Sequence, residues 1–173
     1  MASKPIKLTT TSYALLALLD QLGAATSYDI KQALERSIEN FWPVPHTTAY
    51  EEPARLEQGG YLSVHQEEGG RRRKTYSLTD EGRSALAAWA QDATAAPPQL
   101  RDETMLKIFA GADPAAFLEP RRTYHREKLA ELEGYLEEVG GDEAWRPSVL
   151  TLTAGVVYHR KMLEMLDELG PSA

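Results

Sequence analysis

Apolar positions along the first ninety residues recur first at helical spacing, then at strand spacing, then at helical spacing again. Tyr13, Leu15, Leu16, Leu18, Leu19 and Leu22 make a strongly apolar first helix that ends at Gly23, a natural C-terminal glycine position. Thr26, with Asp29 three residues on, has the pattern of a capping box and opens a second helix through Ile30, Leu34 and Ile38. Pro43 and Pro45 then force extended backbone. Thr48 with Glu51 repeats the capping signature and starts a third helix that stops at Gly59 and Gly60. Residues 61–65 and 75–78 alternate apolar or aromatic with polar side chains, which is strand periodicity, and Gly69 and Gly70 between them predict a hairpin. Thr79 caps a fourth helix whose first turn carries Asp80 and Glu81, favourably placed at the positive end of its dipole.

The second half reads as helical throughout. Met105, Ile108 and Phe109 share a face, and Asp113 followed by Pro114 is an N-cap with proline at the first helical position. Leu129, Leu132, Leu136 and Val139 step by three and four residues, the seam of a helix that packs on another helix, and Gly140 and Gly141 end it. After Pro147, Leu152, Val156, Leu163 and Leu166 form the face of a last long helix. Val149, Leu150, Val157, Tyr158, Met162 and Met165 make that helix apolar beyond one stripe, so one partner helix cannot cover it; a second subunit is the expected cover.

Composition narrows the class. With 173 residues, 42% of them hydrophobic and 26% charged, the chain is long enough for one or two small domains with a real core. The absence of cysteine excludes disulfide frameworks, thiol nucleophiles and thiolate zinc sites. No apolar run approaches the roughly 20 residues of a membrane span, and residues 1–8 lack the apolar core of a signal peptide. The expectation is a soluble, cytoplasmic protein with no membrane partner. Consecutive Pro97 and Pro98 lack backbone donors and push their neighbours out of the helical region, which sets the expected boundary between domains 1–96 and 97–173. The net charge of −7 argues at face value against a nucleic-acid partner. It is unevenly divided, however: residues 1–96 carry 10 Lys and Arg against 12 Asp and Glu, and residues 97–173 carry 9 against 14, so most of the acid excess lies in the second half.

The densest chemical signal is Arg71, Arg72, Arg73 and Lys74, four consecutive cations at the expected hairpin tip. A basic run is usually just a solvated turn, but here a helix-turn-helix pattern precedes the hairpin, and a cationic wing beside a recognition helix grips phosphates on both sides of a groove. At the start of the third helix, His46, Thr47, Thr48 and Tyr50 suit phosphates and base edges; for Thr48, a purely capping role weighs as much. Lys4 and Lys7 are placed to hold backbone phosphate, or form a loose solvated terminus. His46, His65, His125 and His159 show no metal-ligand spacing on one element and read as surface or polar-contact histidines; no metal and no cofactor is expected. There is no nucleophile elbow, phosphate-binding loop or His-Glu-x-x-His motif, and the adjacent acids Glu51-Glu52, Glu67-Glu68 and Glu137-Glu138 do not make an acid/base pair across a cleft, so catalysis is not expected. Trp42, Trp89 and Trp145 read as core or interface anchors, with Trp89 and Trp145 flanking the domain junction.

These stretches together resemble the PadR family of bacterial transcriptional regulators. The resemblance rests on Leu8 to Leu19, on Ser27 to Ile30, on His46 to Tyr50 leading to Arg55 to Leu62, and on Gly70 to Arg83, in that order and spacing. The helical remainder is similar to the family's larger subgroup. The implied fold is mainly α: a winged helix-turn-helix domain of α+β type followed by an all-helical dimerisation domain. The resemblance implies a homodimer that binds double-stranded DNA at a pseudo-palindromic operator, usually as a repressor released by a small molecule. Its third helices enter successive major grooves about 34 Å apart.

By position, Tyr28, Thr47, Thr48, Tyr50 and the wing residues Arg72, Arg73 and Lys74 match the family's DNA-facing elements, and His46 sits at the entry of the recognition helix; Arg71 and Lys7 are added as DNA-binding candidates. Leu129, Leu132, Leu136, Val139, Leu152, Val156, Leu163 and Leu166 are the expected dimer-forming face, and Trp89 and Trp145 the candidates beside an effector at the domain junction. One departure is Pro53, where the family has an apolar helix former: it kinks the third helix if that helix begins at His46 and costs less if it begins nearer Thr48. The competing expectation is a winged-helix adaptor that binds protein and has lost DNA.

Overall fold

The computed structural model describes residues 6–67, 72–94, 97–139, 141 and 145–169. Lys4, Glu68, Gly69, Gly70, Arg71 and Gly140 lie outside them. The chain is mainly α-helical, and it divides into two compact units, Met1–Thr94 and Ala95–Ala173.

The first unit runs α1 (Thr10–Leu22), β1 (Ala25–Thr26), α2 (Ser27–Arg36), α3 (Thr48–Gln58), β2 (Leu62–Gln66), β3 (Lys74–Leu78) and α4 (Asp80–Gln91). Its core is the apolar face of α1 (Leu15, Leu16, Leu18, Leu19) closed by Ile30 and Leu34 of α2, Ala49 and Leu56 of α3, and Leu62, Tyr76 and Leu78 of the hairpin. Ala49 and the larger Leu15, Leu16, Leu19, Ile30 and Leu56 are completely buried, each of the larger five contributing roughly 1.5–3 kcal/mol by removal from water. Local hydrogen bonds fix the helix starts. Thr26 and Asp29 form a reciprocal capping box, as do Thr9 and Ser12 at the start of α1, and the Thr79 hydroxyl accepts from the Gly82 amide at the start of α4. Gly82 has no substitute there, because a Cβ would lie 2.2 Å from the Tyr61 carbonyl oxygen, which already accepts from the Thr79 amide.

Three expectations are corrected, and one further element is found. The second helix ends at Arg36; Ile38 lies in a separate 3-10 turn, Ile38–Asn40, yet still packs on the core. Thr48 is the first helical residue of α3 and not its cap. Thr47, the residue before it, already has helical backbone angles, so no side chain reaches back to an amide, and the Thr48 amide instead donates to the Pro45 carbonyl. Val64 alternates correctly but faces solvent, because only Leu62 of β2 reaches the core. The two-residue strand β1 was not expected: it pairs antiparallel with β3, Ala25 opposite Tyr76 and Thr26 opposite Thr75, and puts β3 between β1 and β2. With α3 beginning at Thr48, Pro53 falls in its second turn, with its ring buried.

The second unit holds α5 (Glu103–Phe109), α6 (Ala115–Val139) and α7 (Arg146–Glu168). The Asp102 carboxylate accepts from the Thr104 and Met105 amides at the start of α5 and from Arg121 of α6. The face expected for Met105, Ile108 and Phe109 does not close over Phe109, which is 89% exposed. Helices α6 and α7 are antiparallel, as the pairs Arg122 with Asp167 and Glu133 with Arg160 require. Between them Leu132, Leu152 and Val156 are buried, flanked by Leu129, Tyr135, Leu136 and Val139. The approach is close enough at Gly155 that a Cβ there would meet Leu132 Cδ1 at 2.9 Å. No helix among the described residues is long and apolar enough to cross a membrane.

Candidate nucleic-acid interface

Because Thr26 ends β1 and also caps α2, the first turn of α2 is held directly against the central strand of the wing. The result is an open groove of about 580 Å³ lined by Thr26, Ser27, Tyr28 and Asp29 on one side and Arg73, Lys74 and Tyr76 on the other. Tyr28 is 59% exposed at its edge, and Arg72, Arg73 and Lys74 are exposed along the wing. Arg72 takes a left-handed backbone conformation with φ 47°, so the chain turns at this residue. The Asp29 carboxyl is held below its ordinary range by hydrogen bonds from the side chain and backbone of Thr26, with the positive charge of Arg73 adding to the effect. Only the described cations enter this geometry; Arg71 lies outside the described residues.

Beside this groove, exposed side chains of α2 approach the start of α3. Tyr50 is 52% exposed, and the ammonium of Lys31 on α2 lies in the field of both Tyr50 and Tyr28. Lys31 pairs with Glu35, which also comes within 3.7 Å of the His46 imidazole, and Gln32 donates to the Tyr28 hydroxyl. His46 and Thr47 are exposed and Thr48 is half-buried. Tyr28, His46, Tyr50, Arg73 and Lys74 thus sit with or beside the first turns of α2 and α3. Lys31, Gln32 and Glu35 join them, although sequence reasoning missed these three: their signal was the i, i+4 spacing from Tyr28 and Lys31 along the exposed face of α2.

Lys7 stands apart from this groove. Its carbonyl accepts from Arg55 in the later part of α3, and the adjacent Ile6 side chain lies over Gly59. Trp89 of α4 stacks on Tyr13 of α1, ring centroids 4.7 Å apart and planes within 4°, so one face of its indole is already covered. Trp145 precedes the first turn of α7. Of the eight residues expected at a dimer face, Leu132, Leu152 and Val156 are used within one chain to pack α6 on α7, and Leu166 is buried too. The large apolar side chains left exposed on α7 are Leu150, Val157 and Tyr158. His125 and His159, read as surface or polar-contact histidines, are buried and in contact with each other.

An α-β-α-α-β-β-α unit with a basic two-stranded wing is a winged helix-turn-helix, here followed by an all-helical unit. Residues 15–88 match the model of the transcriptional regulator PadR-like family, and residues 100–169 match that of the virulence activator alpha C-terminal family. The winged unit, over residues 15–88, is thus that of PadR-like transcriptional regulators. The chain is 27% identical over 134 residues, 73% of either chain, to the negative transcriptional regulator PadR of Bacillus subtilis.

Among solved structures it is similar to that protein in complex with operator DNA, with TM-score 0.79 and 24% identity over 93% of this chain and 97% of the other. It is also similar to the same protein in complex with p-coumaric acid, with TM-score 0.72 and 22% identity over 93% and 96% of the two chains. The Vibrio cholerae virulence activator AphA matches with TM-score 0.69 and 26% identity over 92% and 95%.

Proposed function

We propose that this protein binds double-stranded DNA as a homodimer and represses transcription from a pseudo-palindromic operator. The observation that carries the reading is the groove between the first turn of α2 and the wing, where Tyr28 faces Arg73 and Lys74. Aromatic and hydroxyl edges beside the start of α3 suit base edges in the major groove, while the wing cations suit the phosphate backbone. On this reading Tyr28, His46, Thr47, Thr48 and Tyr50 contact the major groove of the DNA, Arg71 to Lys74 hold phosphates, and Lys7, in the segment before α1, adds a phosphate contact. The winged unit is the DNA-binding domain and the helical unit the dimerisation domain. Two copies meet through α6 and α7, with Leu150, Val157 and Tyr158 supplying exposed apolar surface.

The name of the Bacillus subtilis relative, a negative regulator, supports repression, and its complex with p-coumaric acid supports release by a small organic molecule. The chain carries out no reaction of its own and works in the cytoplasm. The test is selection of bound fragments from genomic DNA with the purified protein, followed by anisotropy titration of the enriched duplex. A palindromic consensus bound by a dimer is the expected result; enrichment of no sequence, together with retention of a protein partner, would make it an adaptor.

A further inference from the structure

Two histidines occupy the gaps in the two helical seams. Along α6 the apolar series 129, 132, 136, 139 extends back by four residues to His125, and along α7 the series 152, 156, 163, 166 has His159 at the vacant step. The structure puts the two rings together: their Nδ1 atoms are 2.8 Å apart, with His125 only 2% and His159 5% exposed. A contact of that length between two ring nitrogens holds one hydrogen, donated by one neutral imidazole to the lone pair of the other. His125 Nε2 is buried with no hydrogen-bond partner.

Adding a proton to the neutral pair is unfavourable at every position. If both Nδ1 atoms are protonated, two N–H groups face each other across the gap. If the shared hydrogen is kept, both Nε2 atoms must carry hydrogen, and His125 then has a buried N–H with no acceptor, costly in itself.

The surrounding charges do not rescue it. From α6, Arg121 repels a charge on His125 and Lys128 repels one on His159. The opposing carboxylates are already engaged: Asp102, in the segment before α5, by Arg121 and the α5 amides, and Glu131 of α6 by Lys128 and the Tyr135 hydroxyl. The remaining ring neighbours, Tyr124 of α6 and Tyr158 of α7, stand edge-on and bring no carboxylate. Burial comes first in holding both imidazoles below their ordinary value near 6.5, followed for His125 by the His159 ring and then Arg121, and for His159 by Lys128.

We propose that the His125–His159 pair is a proton-sensitive latch that closes α6 on α7 only while both rings are neutral, so that mild acid loosens the helical unit. On the reading of that unit as the dimer-forming half, acid would thereby uncouple the two DNA-binding units; this consequence rests on the proposed function, while the latch itself does not. Because the unfolded chain takes up protons more readily than the folded pair, the latch contributes fully above about pH 6.5 and its contribution is lost as pH falls below it.

The test uses the full chain. Histidine ring signals, assigned in wild type with the single variants His125→Gln and His159→Gln, should report both rings of the pair neutral at pH 6. The thermal midpoint of wild type should fall by at least about 2–4 °C between pH 7.5 and 5.5. In the double variant H125L/H159L, which continues both apolar seams, the midpoint should be nearly flat across that range, with H125Q/H159Q as a second, polar replacement. Rings charged at pH 6 in the folded wild type, or an equal fall in the double variants, would overturn the latch. Should neither double variant fold, the wild-type ring signals decide alone. Sedimentation at pH 7.5 and 5.5 separates the two claims: a monomer at pH 7.5 removes the dimer reading and leaves the latch to the ring and midpoint measurements.

Discussion

The hydroxyl of Ser12, completely buried on α1, donates to the Glu52 carboxylate of α3 across 2.6 Å. Arg55 closes the arrangement, giving two hydrogen bonds to Glu52, one of 2.8 Å to the Ser12 oxygen and one to the Lys7 carbonyl. One guanidinium therefore ties the proposed recognition helix to α1 and to the segment that precedes it. Burial alone would raise the Glu52 carboxyl, but the hydrogen bonds from Arg55 and Ser12 outweigh it and hold the group below its ordinary value near 4.5.

Replacing Arg55 by alanine leaves that carboxylate without its counter-ion. The expected loss is about 2 kcal/mol, less than the roughly 3–5 of a fully enclosed pair because the Arg55 side chain keeps 35% of its surface. The double replacement E52L/R55M should cost less than Arg55→Ala by itself, since no charge is then stranded. Urea unfolding of the three proteins checks the order, and a double variant weaker than the single one would contradict the ion-pair account.

Charge reversal of the wing at Arg72, Arg73 and Lys74 is expected to weaken binding to all duplexes alike and to flatten the salt dependence, by about 0.9 in the logarithmic slope for each phosphate that is no longer neutralised. Tyr50→Ala or His46→Ala should instead change which sequences are preferred, at about 1–3 kcal/mol for each base edge no longer read. Anisotropy titrations over a range of salt, on an enriched and a scrambled duplex, distinguish the two behaviours.

Asp102 combines a helix cap with an ion pair, its side chain 12% and that of Arg121 19% exposed. Hydrogen bonding from Arg121 is the main cause that holds its carboxyl below the ordinary value near 3.8, with burial opposing and the α5 amides helping. Asp102→Ala should cost about 3–5 kcal/mol, because the Arg121 charge is left enclosed. A carboxyl held low stabilises above its unfolded value and loses that contribution as pH falls through the folded value, so wild type and variant should differ fully at pH 6 and converge in strong acid. Chemical unfolding at a series of pH values measures this.

Gly82→Ala should destabilise the winged unit by roughly 1–3 kcal/mol or more, since its Cβ meets a backbone carbonyl that has no rotamer to escape into. A depressed thermal midpoint is the readout; a midpoint at or above wild type would mean that Tyr61 and α4 move apart without cost.

Much of this molecule follows from rules that act over three or four residues. The caps at Thr26 and Thr79, the stop at Gly23, the hairpin and the two leucine seams are local, because a helix start needs an oxygen three residues from an amide and a seam needs only a repeated step. Those rules alone identified the winged unit, its basic wing and the helical second half. What they left open was partnership across the chain. Strand β1 exists because Ala25 meets Tyr76, fifty-one positions away, and that pairing brings Tyr28 opposite Arg73 and Lys74. The sequence read His125 and His159 as surface or polar-contact histidines; the antiparallel closure of α6 on α7 set one ring against the other and removed both from water, and it is this burial that turns two ordinary histidines into a pair that resists protonation.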